Sequence, residues 1–209
     1  MFKNIKLSLK LTSIGLAFVL PLGVLLYIAI ANINAQIQFS RLETEGNTMQ
    51  RPLEKLLENL PKAASDTEAV NNVTVAFADL AKAELLYGTD LQFTPEGLSS
   101  RKRGHLAPAA VAARWELLKK QQGDAEVFAK DINELLDDVS GMITHCGDTS
   151  NLILDPDLDS YYTMDMTLLA LPQSQRRLAA ILAFGNKVLR SGTLAESDLR
   201  QFNTYAEMF

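Results

Sequence analysis

The chain has 209 residues, enough for one ordinary domain with an appendage, and 47% of them are hydrophobic while only 7% are aromatic, a balance that favours packed helices over a β-sandwich. Its formal charge of −5 is uneven: Lys3, Lys6 and Lys10 are the charged residues before position 34, so the rest sets 17 basic residues against 25 acidic ones. An acidic surface with no basic stripe among aromatics excludes a nucleic-acid partner, and a single cysteine, Cys146, excludes an internal disulfide and a multi-thiolate metal site.

In chain order, residues 1–10 form a basic N-terminus and residues 11–33 a membrane-spanning helix. No charge occurs from Leu11 to Ser40, and Leu11–Ala31 is almost continuously apolar. About 20 such residues span a bilayer, whereas the apolar core of a signal peptide is about 7–15 long. Gly15 and Pro21 lie inside the stretch, as lipid-embedded helices tolerate. Lysines before the span and none just after it set the N-terminus in the cytoplasm and residues 34–209 outside, in the periplasm if the inner membrane is the host. The alternative is cleavage after Ala29-Ile30-Ala31, which has a small-x-small form.

The span is expected to continue as a helix through Ile37, Leu42, Met49 and Leu53 to about Leu60. Pro61 marks a turn, and Ser65 with Glu68 has the spacing of a capping box. Val70, Val73, Phe77, Leu80 and Tyr87 predict the next helix, followed by a loop from Gly88 to His105 and a helix over Ala107–Gln122. Phe128, Ile132, Leu135, Val139, Met142, Cys146, Thr149 and Ile153 then alternate steps of four and three, a heptad seam. After Asp155-Pro156 a helix is expected to about Arg190, kinked at Pro172. Ser191-Gly192 stops it, and another begins at Ser197. Amphipathic helices, short connections and no strand-like alternation predict an all-α, up-and-down bundle behind the span. Leu199, Phe202 and Phe209 read as core positions of a helix still under way, so the chain is expected to be part of a longer receptor.

The richest stretch is Gly147–Tyr162. Asp155, Asp157 and Asp159 alternate as in the first half of an EF-hand, but Ser160 and Met166 occupy the places of its glycine and glutamate, which excludes that loop. Asp155 as N-cap, Pro156 as first helical residue and acids in the first turn give a structural reading. If Asp155-Pro156 closes a tight hairpin, Asn151 faces Asp159, Asp148 faces Tyr162 and His145 faces Asp165. Asp165 shares its register with Leu158, Tyr161 and Leu168 and is expected to point inward, where a carboxylate needs a partner. His145, Asp148, Asn151, Asp159, Tyr162 and Asp165 are therefore the candidate ligand-binding residues, with a satisfied buried Asp165–His145 pair as the alternative.

His105 and His145 show no metal-binding spacing, and no nucleophile, P-loop, dinucleotide or kinase signature occurs. No metal, cofactor or catalytic residue is expected, and the chain is read as no enzyme. Cys146, on the seam, reads as core filler, though Arg176 and Arg177 are cations that the fold can bring near. Arg101-Lys102-Arg103-Gly104-His105 reads as a solvated turn or as an anion-attracting loop, and Asn72-Val-Thr74 matches a glycosylation sequon within a helix.

The run Gly147-Asp-Thr-Ser-Asn-Leu-Ile-Leu-Asp-Pro-Asp-Leu-Asp-Ser-Tyr-Tyr162, with Met164-Asp165, resembles the N-terminal regions of bacterial methyl-accepting chemotaxis proteins and of related sensor histidine kinases. Leu91–Leu98 and Ala107–Leu118, with Trp115, are similar to the same group. The resemblance implies a periplasmic helical input domain, a homodimer, a small-molecule ligand, and a downstream HAMP linker and transmitter. It assigns no binding residue. The function expected is the sensory input of a membrane chemoreceptor, with a kinase input region or a freestanding anchored envelope protein as alternatives.

Overall fold

The computed structural model describes residues 6–64, 66–120, 125–154 and 158–207, apart from a few side chains that include those of 158–160. Among the described residues there is no strand, and the elements are helices joined by short turns: α1 (Leu7–Asn59), α2 (Thr67–Tyr87), α3 (Pro95–Ser100), α4 (Pro108–Leu118), α5 (Ala125–Thr149), α6 (Leu158–Met164), α7 (Leu171–Ser191) and α8 (Glu196–Glu207). The all-α expectation holds. By its contacts the chain divides into two units, Met1–Arg41 and Leu42–Phe209.

In the first unit, α1 carries an 18-residue window of mean hydropathy 2.5 with none of it buried. Residues 11–33 rise about 35 Å as a helix, against roughly 30 Å of bilayer hydrocarbon. Among the described residues there is thus one helix long and apolar enough to cross a membrane.

The second unit buries the stripe Met49, Leu53, Leu56, Leu57 and Leu60 of the α1 end together with Val73, Phe77 and Leu80 of α2, and Val111, Trp115 and Leu118 of α4. α4 packs on both α2 and α5. Trp115 is fully buried, its Nε1 donating to Thr74 Oγ1 at 3.4 Å. The predicted seam of α5 is the centre of this core: Phe128, Ile132, Leu135, Val139, Met142, Cys146 and Thr149 are all buried, and only Ile153 remains half-exposed. The seam is used within the chain.

Boundaries differ from expectation in places, each for a local reason. α2 is capped one residue later than the Ser65–Glu68 spacing suggested, by Asp66, whose carboxylate accepts the Glu68 N–H at 2.8 Å; Ser65 lies outside the described residues. The expected loop 88–105 contains α3, because Thr94 caps Gly97 N and Pro95 takes the first helical position. α4 ends at Leu118, short of Gln122. Gly192, at φ +63°, ends α7, in the left-handed conformation that glycine adopts without cost. α8 is opened by Asp198, whose carboxylate accepts the Ala195 N–H at 2.9 Å.

The largest difference lies before Pro172. A π-helical turn spans Asp165–Ala170. A proline clashes with the carbonyl four residues back, and the wider turn accommodates the ring. The Leu171 N–H consequently bonds Met166 O, and the next nitrogen is that of Pro172, which has no hydrogen. The Thr167 carbonyl has lost its ordinary helical donor. The Gln50 side chain of α1 supplies one, donating to Thr167 O at 3.1 Å and to Glu54 Oε1 at 2.9 Å. This buried amide ties α1 to the segment entering α7.

Candidate functional site

Two of the residues singled out from sequence come together at the C-terminal end of α5, on a platform formed by residues 91–106. Leu91, Phe93, Leu98 and Leu106 are buried beneath that platform. Gln92 holds a positive φ of 55°, which turns its carbonyl toward α5, and Gly97 is required because a Cβ there would lie 2.4 Å from that carbonyl oxygen. The Nε2 of fully buried His145 lies 3.1 Å from Gln92 O, and its ring meets Phe93 edge-on at 4.6 Å.

Arg103 completes the cluster. Its Nη1 donates to Asp148 Oδ2 at 2.6 Å and lies 3.5 Å from His145 Nδ1. Burial pushes the His145 pKa down, the Gln92 bond opposes this, and the Arg103 charge reinforces it. The imidazole is therefore neutral, with its proton on Nε2, donated to Gln92, and Nδ1 facing the guanidinium. The arrangement is a packed latch between the platform and α5. Arg103 is paired, whereas Arg101 and Lys102 are exposed, so the basic loop divides between a structural cation and a solvated turn.

The remaining candidates lie elsewhere. Asn151 is half-buried at φ 66° just beyond α5. Tyr162 is 64% exposed and meets Tyr161 edge-on at 5.9 Å. Asp165 is half-exposed at the start of the π turn, with no side-chain bond among the described residues. The Asp159 side chain, like all of Asp155, Pro156 and Asp157, lies outside the described residues. The expected pairing of His145 with Asp165 and Asp148 with Tyr162 is corrected by the register: a Cβ on Gly147 would touch Leu168 at 3.1 Å, and Leu168 is five positions past the partner that a symmetric hairpin assigns. The chain leaves α5 through a 3-10 turn over Leu152–Leu154, and the reversal expected at Asp155-Pro156 lies outside the described residues. Asp165 does not reach His145, whose ring nitrogens face Gln92 and Arg103.

A cavity of about 620 Å³ lies elsewhere in the same unit, between the 60–62 turn, α5, α7 and α8. Its floor is apolar: Ile132 and Leu136 of α5 with Ala179, Ala183 and Phe184 of α7. Lys187 and Arg190 stand on its rim, Tyr205 closes one side, and no carboxylate of the described residues lines it. Phe184 and Tyr205 meet edge-on at 5.7 Å, which fastens α8 across α7. Sequence reasoning missed these residues. The signal was present but bland: Ala179, Ala183, Lys187 and Arg190 follow steps of four, four and three, one face of a helix that passes from small to basic.

Cys146 is buried, its thiol donating to Gly46 O at 3.3 Å, and burial pushes its pKa up to about 12. It is a core residue with no thiolate character at neutral pH, and neither Arg176 nor Arg177 supplies a charge that alters this. Arg176 pairs with Asp137 instead. Compared with protein-family models, with curated proteins and with solved structures, the chain matches none.

Proposed function

We propose that this chain is the sensory input region of a membrane receptor, held by residues 11–33 with the helical unit on the extracytoplasmic side, and that its output serves chemotaxis. The carrying observation is α1 itself, an exposed apolar helix with a mean hydropathy of 2.5 whose later turns belong to the core of an acidic bundle. The lysines before the span orient it, and the likeness of the 147–165 stretch to chemoreceptor input regions supplies the class. A receptor of this kind works by biasing two states whose helix packing differs. The Gln50–Thr167 bond and the Gly46–Cys146 contact are two of the points where α1 and the later helices hold one another.

Topology is the test. In a Cys146→Ala background, a membrane-impermeant maleimide applied to intact cells is expected to label Ser99→Cys and to spare Ser8→Cys. Labelling of both, or recovery of the chain in the soluble fraction, removes the receptor reading. In a chimera carrying residues 1–209 before a heterologous second span and transmitter, Gln50→Ala is expected to shift basal output. Output indifferent to that change would leave an anchor without a signalling role.

A further inference from the structure

We propose that the cavity between the 60–62 turn, α5, α7 and α8 binds a small organic monocarboxylate, with its apolar body on the Ala183–Phe184 floor and its carboxylate between Lys187 and Arg190. The volume of about 620 Å³ lies within the range of small-ligand sites, roughly 300–1,000 Å³. The floor excludes strongly hydrated ligands, because Ile132, Leu136, Ala179 and Phe184 offer no hydrogen bonds. The rim selects charge. Among the described residues neither Lys187 nor Arg190 makes an ion pair, although the chain as a whole is acidic and Arg176 of the same helix is paired.

An anion is the complement of two uncommitted cations three residues apart on one helix face, and the planar guanidinium fork of Arg190 suits a carboxylate. Asn186 of α7 and Gln201 of α8 add amide donors along the same rim. An occupant so held touches α5, α7, α8 and the turn that ends α1 together. For its purpose, though not for its chemistry, this site rests on the input-region reading.

Calorimetry on the full chain in nanodiscs tests it, with phenylacetate as the probe. Phenylacetate is expected to bind at least about tenfold more tightly than neutral phenylacetamide and than acetate, which lacks the apolar body. Because the rim is exposed, affinity is expected to fall with added salt. Lys187→Gln and Arg190→Gln, both on the surface, are each expected to weaken phenylacetate with the thermal midpoint unchanged, and Ala183→Trp, which fills the cavity, to abolish binding.

Equal affinity for the acid and the amide overturns the charged part of the proposal. Binding that survives Ala183→Trp, or no binding of phenylacetate at millimolar concentration, overturns the site. If the rim and floor substitutions instead change the sedimentation of the protein with phenylacetate silent, the cavity holds a second copy of the chain. Failure here leaves the labelling pattern of Ser8 and Ser99 unaffected, and failure of that pattern leaves the binding constant unaffected, so the two readings fail separately.

Discussion

Gln50 carries a bond that only its partner's position makes necessary. The Thr167 carbonyl is orphaned by the π turn and by the missing N–H of Pro172, and a buried carbonyl without a donor costs about 1–3 kcal/mol. Gln50→Ala is expected to destabilise the bundle by that order. The cost is expected to shrink in a Pro172→Ala background, where residue 172 regains an N–H. A double-mutant cycle on thermal or urea unfolding measures the coupling; independent effects would dissolve this account. His145 makes a second residue-scale prediction. Its folded pKa lies below the free value of 6.5, so the unfolded chain binds more protons as pH falls beneath that value. Stability is therefore complete above 6.5 and declines toward the lowered folded pKa. Between about pH 7.5 and about pH 5.5 the thermal midpoint is expected to fall more steeply in wild type than in His145→Gln. Arg103→Gln, which removes a neighbouring positive charge, is expected to raise the His145 pKa as read by NMR titration.

At the scale of elements, α1 and the end of α5 approach closely where Gly46 meets Ser150, the residue that follows α5. A Cβ on Gly46 would lie 2.3 Å from the Ser150 Cβ, so the helices pack there backbone to side chain. Gly46→Ala is expected to destabilise by about 1–3 kcal/mol, the usual cost of overpacking. Ser150→Gly in the same chain is expected to recover part of that loss; a Gly46→Ala variant as stable as wild type would contradict the close approach. The α5 seam was legible because a four-three alternation admits one helical face. Its use was not legible, since the same pattern serves an internal core and a dimer interface, and all its members from Phe128 to Thr149 are consumed internally. Pro172 was legible as a disturbance. That it takes the form of a π turn, with Gln50 bonding the freed carbonyl, was not.

At the scale of the whole molecule, the exposed apolar surface of α1 belongs to the first unit and the core to the second. Changes to the span should therefore spare the bundle. Leu22→Arg sets a charge near the middle of residues 11–33, at a cost of about 2.5–3.5 kcal/mol for insertion. It is expected to lower the membrane-bound fraction in alkaline extraction and leave the thermal unfolding of the helical unit unchanged. A large loss of bundle stability would show that the two units are not separable in this way.

Composition and periodicity alone determined the helix class, the candidate span and the face that α5 buries, because each follows from local spacing along one element. Tertiary structure decided what sits opposite what. His145 and Asp148 lie against Arg103 rather than Asp165 and Tyr162, and Gly147 meets Leu168 rather than the residue that hairpin symmetry assigns. The cavity of Ala183, Lys187 and Arg190 arises where the 60–62 turn and α5 meet α7 and α8. No single helix encodes such a space, since its shape depends on side chains contributed by the others.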